Sequence, residues 1–184
     1  MDTALVIIDI QNDYCRNGKM ELEGIDNALE NCKSLLEKCR SCNIPVFHVQ
    51  HISVHEGAFF FLPDTEGCKI HDSVQPNDEE TIIVKNYPNS FMKTDLHKKL
   101  QQIGVKEIIV CGAMSHMCID TTVRAAFELG YSINLIHDAC ATRDLEFQGR
   151  VVAAADVHAS FMAALQMIFA MLHTTEDFMR KLHS

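Results

Sequence analysis

Three side chains stand where apolar runs give way to polar segments, and their types suit one reaction. Asp9 follows the run Ala4–Ile8, Lys85 follows Thr81–Val84, and Cys118 follows the run Glu107–Cys111 through Gly112 and the segment AMSHM. If the runs are strands and Cys118 opens a helix, an acid, a base and a thiol meet on one rim. A helix N-terminus and a nearby ammonium both stabilise a thiolate, the nucleophilic form of cysteine. Asp9 would serve as general base toward the thiol and then as acid toward a leaving amine. Lys85 would hold both charges in place, and free backbone N–H groups in the turn would form an oxyanion hole. Together they suit acyl transfer: hydrolysis of an amide or a related C–N bond.

Each residue also has a plainer reading. A cysteine at a helix start is often a small buried hydrophobe, an aspartate after a strand often caps a turn, and a single lysine is usually a surface group. An aspartate and a lysine at strand ends would also suit a phosphoacceptor domain, for which Asp13 is the one further acid at hand. A nucleotide hydrolase would need the G-x-x-x-x-G-K-[ST] motif, which the chain lacks. A scaffold that binds partners without catalysis remains a third class. The convergence of three chemical types at separately predicted strand ends favours the hydrolase.

The elements that must position these residues alternate. Ala4–Ile8, Pro45–Val49, Thr81–Val84, Glu107–Cys111, Ser132–His137 and Phe169–Leu172 read as strands, rich in β-branched residues. Between them, Ile25–Cys39 shows an apolar helical stripe with Asp26 as its cap, Thr94–Ile103 and Cys118–Leu129 end at glycines, and Val151–Ile168 is rich in Ala and Met. Thr175 caps a short final helix. Met162, Met167 and Met171 read as core. Apolar strands alternating with helices predict an α/β fold: one three-layer α/β/α domain over 1–184 with a mostly parallel six-stranded, Rossmann-like sheet. In such sheets ligands bind at the carboxyl ends of the strands. The long stretch 53–80 reads as a functional loop. Its AFFFLP segment (58–63) is either a substrate lid or a subunit contact.

Composition narrows the partners. The chain has 184 residues, 16 basic and 25 acidic side chains and a net charge of −9. That balance argues against nucleic acid or an anionic membrane as partner. No apolar segment approaches the roughly 18 residues of a membrane span, and the first residues do not read as a signal peptide. Eight cysteines, about 4% of the chain, are too few for a small disulfide scaffold. A cytoplasmic protein with reduced thiols is expected. The Cys39-Arg-Ser-Cys42 pair closes a helix, where a redox pair would open one, and zinc would need a second pair.

Four segments then resemble one family: ALVIIDIQNDY (4–14), VKNYPNSF (84–91), GAMSHMCIDTTVRAAFELGY (112–131) and HDACATRD (137–144). They are similar, in order, to motifs of the isochorismatase-like cysteine hydrolases, which include nicotinamidases and N-carbamoyl amidases. The third segment is the most specific, and with HDACATRD it looks most like the streptothricin hydrolase subset. The resemblance implies a catalytic triad of Asp9, Lys85 and Cys118, a cis peptide between Ala113 and Met114, and an oxyanion hole from the backbone N–H groups of Met114 and Cys118. It also implies a homo-oligomer, a dimer or tetramer.

Departures from the family pattern narrow the activity. Nicotinamidases bind a metal through Asp-x-His, whereas the matching stretch here is HVQHIS. His48, Gln50, His51 and His55 are metal-capable types at irregular spacing, so neither metal nor cofactor is expected. Isochorismatases proper lack the nucleophilic cysteine that Cys118 would supply. The expected substrate is a small amide, ureide or lactam. Gln11, His51, Tyr87, Phe91 and His116 flank the motifs as candidate substrate-binding residues, Phe91 foremost.

Overall fold

The computed structural model describes residues 2–182; Met1, His183 and Ser184, the ends of the expected 1–184 domain, lie outside the described residues. Its centre is strand β1 (Thr3–Ile8), whose side chains alternate between two separate cores. Leu5 and Ile7 face one core, Ala4, Val6 and Ile8 the other, as the two-residue period of a strand requires. Both faces are covered, which is why the run is apolar throughout.

The sheet also contains β2 (Val46–His51), β3 (Thr81–Lys85), β4 (Glu107–Ala113), β5 (Ser132–Ala141) and β8 (Met171–His173), in the order β3-β2-β1-β4-β5-β8. All its pairings are parallel. One layer is α1 (Ile25–Ser41) with α5 (Thr175–Lys181), which bring Cys32, Leu35, Leu36 and Phe178 to the first core. The opposite layer is α2 (Leu96–Gln102), α3 (Asp120–Glu128) and α4 (Ala154–Gln166), which bring Leu100, Val123 and Leu165 to the second. The expected α/β class and six-strand sheet are therefore present, and the sheet is wholly parallel. Among the described residues no helix is long and apolar enough to cross a membrane.

Several local expectations change. The start of Val151–Ile168 is not helical: β6 (Leu145–Phe147) and β7 (Arg150–Val152) form an antiparallel hairpin. Gln148 and Gly149 both have positive φ, 52° and 75°, as a two-residue hairpin turn of matching twist requires. Asp26 is not the cap of α1; Gly24 holds that position at φ 73°, with Asp26 in the first turn. Thr174, not Thr175, caps α5, its side chain accepting the Asp177 N–H. Met162 is core, but Met167 and Met171 are 80% and 54% exposed, because α4 ends at Gln166 before the chain enters the edge strand β8.

Sheet order also sets the site. From β1 the chain moves outward through β2 to β3, then returns to place β4 on the other side of β1. The order reverses between β1 and β4, the place where loops diverge and a crevice opens. Gly112 makes the approach possible: a Cβ there would overlap the Ile8 carbonyl oxygen, and its φ of 127° is one that other residues avoid.

Candidate active site

Asp9 is the residue after β1, Lys85 the last of β3, and Cys118 lies in a π-helical turn (Ser115–Ile119) between β4 and α3. Cys118 is thus inside a wide turn, two residues before α3 begins at Asp120, where the sequence predicts that it opens the helix. The peptide between Ala113 and Met114 is cis. Met114 O accepts the N–H groups of both Met117 and Ile119, and the second of these bonds closes the wide turn that carries Cys118.

The ammonium of Lys85 joins the group. Its Nζ donates to Asp9 Oδ2 at 2.7 Å and Cys118 Sγ at 3.2 Å, and lies 3.0 Å from His51 Nδ1. Strand β2 separates β1 from β3, so Lys85 must reach across the end of β2 to meet Asp9. His51 is the last residue of β2 and the register partner of Lys85, so its ring lies along that path. The Lys85 and Asp9 side chains are fully buried, and Asp9 Oδ1 is buried without a hydrogen-bond partner. One carboxylate oxygen is therefore held by the ion pair while the other keeps its lone pairs free.

Burial dominates the electrostatics. It works to lower the Lys85 pKa, but Asp9 and Cys118 outweigh it and raise the value, so Lys85 is charged. The Cys118 thiol is pushed up, first by burial and then by Asp9, against the opposing effect of Lys85. This reverses the lowered thiol pKa expected from a helix start and a lysine: desolvation of a thiolate beside a carboxylate costs more than one shared ammonium returns. The resting thiol holds its proton. Burial, then Lys85, pushes His51 down to about 4. Its neutral ring accepts from the ammonium through Nδ1, which leaves the ring proton on Nε2.

These residues do not fit a metal. One ligand atom from each of Asp9, His51 and Cys118 lies within 4.8 Å of the others, a spacing a cation can use. The Lys85 ammonium already donates to all three, so a second cation would meet it head-on. Of the other metal-capable side chains, His48 Nε2 lies 2.9 Å from Glu80 Oε2 and Gln50 donates to the Cys68 carbonyl at 2.8 Å, while His55 lines the cavity without joining the Lys85 cluster.

A cavity of about 180 Å³ opens onto Cys118 and His51. Tyr14, Phe60 and Phe61 form one wall, and Pro88, Met114 and Met117 lie among the remaining lining residues. Tyr14 and Phe61 rings are 4.5 Å apart. Of the AFFFLP segment, Phe61 is fully buried and Phe59 is 54% exposed, so the segment walls the cavity of its own chain. Asp13 anchors it: Oδ2 accepts the Phe61 N–H at 2.6 Å, and Oδ1 the Lys19 N–H at 3.3 Å. Asp13 is therefore occupied with loop anchoring rather than paired with Asp9.

Of the five flanking candidates, His51 lines the cavity and four do not. Gln11 is fully buried and clamps the end of β2, donating to the His51 and Cys68 carbonyls and accepting the His51 N–H. It positions His51 through backbone contacts. The Tyr87 hydroxyl accepts from Lys93, while its neighbours Asn86 and Pro88 face the cavity. Phe91 stacks on Tyr131 at 6.1 Å and packs into the core beneath α2 and α3. His116 bonds Thr142 at 2.6 Å, turned from Cys118 by the wide turn that carries both. Closeness in sequence placed these residues near the motifs, but side-chain direction decides which reach the cavity. Tyr14, Met114 and Met117 lie inside the resembling segments, yet nothing in their spacing singled them out as lining.

The isochorismatase domain model matches residues 3–177, nearly the whole chain. The chain belongs to the isochorismatase family. Among its relatives, the isochorismatase family protein YddQ of Bacillus subtilis is 54% identical over 180 residues, covering 98% of this chain and 100% of that one. Streptothricin hydrolase of Streptomyces noursei is 33% identical over 162 residues, 88% of this chain and 55% of that one. A crystal structure of an isochorismatase hydrolase candidate from Oleispira antarctica superposes with a TM-score of 0.93 at 44% identity, covering 97% of this chain and 96% of that one. Isochorismatase-family proteins are hydrolases of C–N or related bonds, with amidase-type members among this chain's relatives.

Proposed function

We propose that this isochorismatase-family protein is a metal-independent cysteine hydrolase that cleaves an amide or related C–N bond of a small molecule through an acyl-enzyme on Cys118. The observation that carries the reading is the Lys85 ammonium bonded at once to Asp9 and Cys118 at the floor of a cavity. As Sγ attacks the substrate carbonyl carbon, its proton passes to the free Oδ1 of Asp9. The carbonyl oxygen becomes an oxyanion held by the backbone N–H groups of Met114 and Cys118. Collapse of this intermediate breaks the C–N bond, Asp9 returns the proton to the leaving nitrogen, and an amine departs. Water then attacks the thioester, giving its proton to Asp9, and the carboxylic product leaves as the thiol re-forms.

Lys85 does not exchange its proton in this scheme. It balances the Asp9 charge and aims the sulfur. A raised thiol pKa suits such a sequence, because attack and proton transfer occur together and no resting thiolate is needed. A reducing cytoplasm would keep Cys118 competent; all eight cysteines are free.

A panel of small amides, ureides and lactams tests the reading. The wild type is expected to release amine or ammonia from at least one, and Cys118→Ala to release none above background. Equal turnover by both proteins sinks the proposal.

A further inference from the structure

The outer face of α4 is apolar where a solvent-facing helix would carry charge. Across Ala154–Gln166 the only charged residue is Asp156, whereas α1 exposes Glu30, Lys33 and Glu37 on its solvent side. Inward, α4 buries Ala154, Val157, Met162 and Leu165. Outward, Ala155, Ala159 and Ala163 are exposed, and their four-residue spacing lines them up on one stripe. A helix that is apolar all round is one that is covered all round.

Each end of the stripe carries larger apolar groups. At its N-terminal end stands the β6–β7 hairpin, whose Phe147 and Val151 are 72% and 63% exposed. A lone two-stranded hairpin is marginally stable in water. At its C-terminal end Met167, Ile168 and Met171 are exposed. From Arg150 to Met171 the exposed charges are one base, Arg150, and one acid, Asp156. The chain as a whole carries −9, so two copies meet with little repulsion on this neutral strip.

We propose that a second copy of the chain docks on the α4 face, antiparallel about a two-fold axis at Ala159, and that this contact braces the turn carrying Cys118. A two-fold contact joins one patch to itself. It sets alanine against alanine, which lets the helices approach to about 8 Å. It also sets the hairpin of one copy against the Met167–Met171 end of the other, across a helix roughly 20 Å long. On its inner side α4 holds the catalytic turn. His158 Nδ1 lies 2.8 Å from Ser115 Oγ, and the Phe161 ring packs edge-on against His116. Ser115 and His116 belong to the turn that carries Cys118, so α4 stands between the second copy and that turn. Docking and bracing are both independent of the proposed hydrolysis.

Light scattering on Ala159→Glu and Ala159→Lys tests the contact, because each substitution sets like charges against each other at the axis. Each variant is expected to show half the wild-type mass with an unchanged far-UV circular dichroism spectrum. An equimolar mixture of the two, in which Glu meets Lys, is expected to recover the wild-type mass. Phe147→Ser, at the end of the contact, is expected to move dissociation to about tenfold higher concentration or more, the worth of one large buried apolar side chain. In the half-mass variants iodoacetamide should label Cys118 about threefold faster or more, since an unbraced turn opens more often. No readout requires turnover, so failure of the hydrolysis assay and failure of this proposal are distinguishable. The proposal is overturned by a single-chain mass for the wild type, by full mass in both charged variants, by a mixture that stays at half mass, by unchanged dissociation in Phe147→Ser, or by unchanged labelling of Cys118.

Discussion

A carboxylate with one oxygen bound and one free is the residue on which the proposed chemistry turns. Asp9 Oδ2 is held by Lys85, and Oδ1 is buried and unpartnered. Asp9→Asn keeps the shape but removes the base, so kcat is expected to fall by about 10²–10⁴-fold, measured on any amide that the wild type turns over. Loss of less than tenfold would assign the base elsewhere. His51 makes a pH prediction. Its pKa is pushed down from 6.5 to about 4 by burial and then by Lys85. Between those values the unfolded chain takes up a proton that the folded chain refuses, so stability falls as pH drops through the window. Urea midpoints at neutral pH and near pH 4 should therefore differ more in wild type than in His51→Gln. Equal differences would mean His51 is not the titrating group. Below about pH 4 the charged ring would also confront Lys85, so activity should be lost there.

Elements supply what no residue holds alone. Strand β2 lies between β1 and β3, and that intervening strand makes a long lysine the side chain able to bridge from β3 to Asp9. Within loop 53–80 the Phe60–Phe61 stretch is tied to the site through Asp13, which accepts the Phe61 N–H and, from its own segment, the Lys19 N–H. Its neighbour Gly67 has no room for a side chain, since a Cβ there would overlap the Asp13 carboxylate. Asp13→Ala should therefore release the Phe60–Phe61 wall and cost about 1–3 kcal/mol through the N–H groups left unpaired. Thermal melts would show the loss, and KM should rise more than kcat falls because the wall binds substrate and does not touch the reacting atoms. A fall in kcat alone would contradict that division.

At the scale of the molecule, two cores on either face of one sheet leave its edges open. Among the described residues strand β8 pairs only with β5, and beside it Met167, Ile168 and Met171 are 80%, 65% and 54% exposed. Apolar side chains gathered at an unpaired edge are costly in water and are commonly covered by another chain. The homo-oligomer implied by the family resemblance is consistent with that surface. Light scattering should return a mass twice or four times that of one chain, and a single-chain mass across working concentrations would refute it.

The sequence by itself determined the elements whose period is local. Apolar runs such as Ala4–Ile8 and the stripe of α1 could only be a buried strand and an amphipathic helix, and their alternation implied the parallel sheet. Motif spacing also placed Asp9, Lys85 and Cys118 at one rim, because parallel strands all end on the same side. Direction and desolvation were not legible. Phe91 and Tyr14 are equally near the motifs in sequence, yet Phe91 stacks in the core on Tyr131 while Tyr14 lines the cavity. The hairpin that turns at Gln148-Gly149 was not legible because the helix pattern of Val151–Ile168 runs over its second strand, Arg150–Val152. The sign of the Cys118 shift, the four-way contact with His51 and the unpartnered hydroxyl of Ser53 arise only on folding. Each depends on which distant segments exclude water from a group, and burial of that kind has no period along the chain.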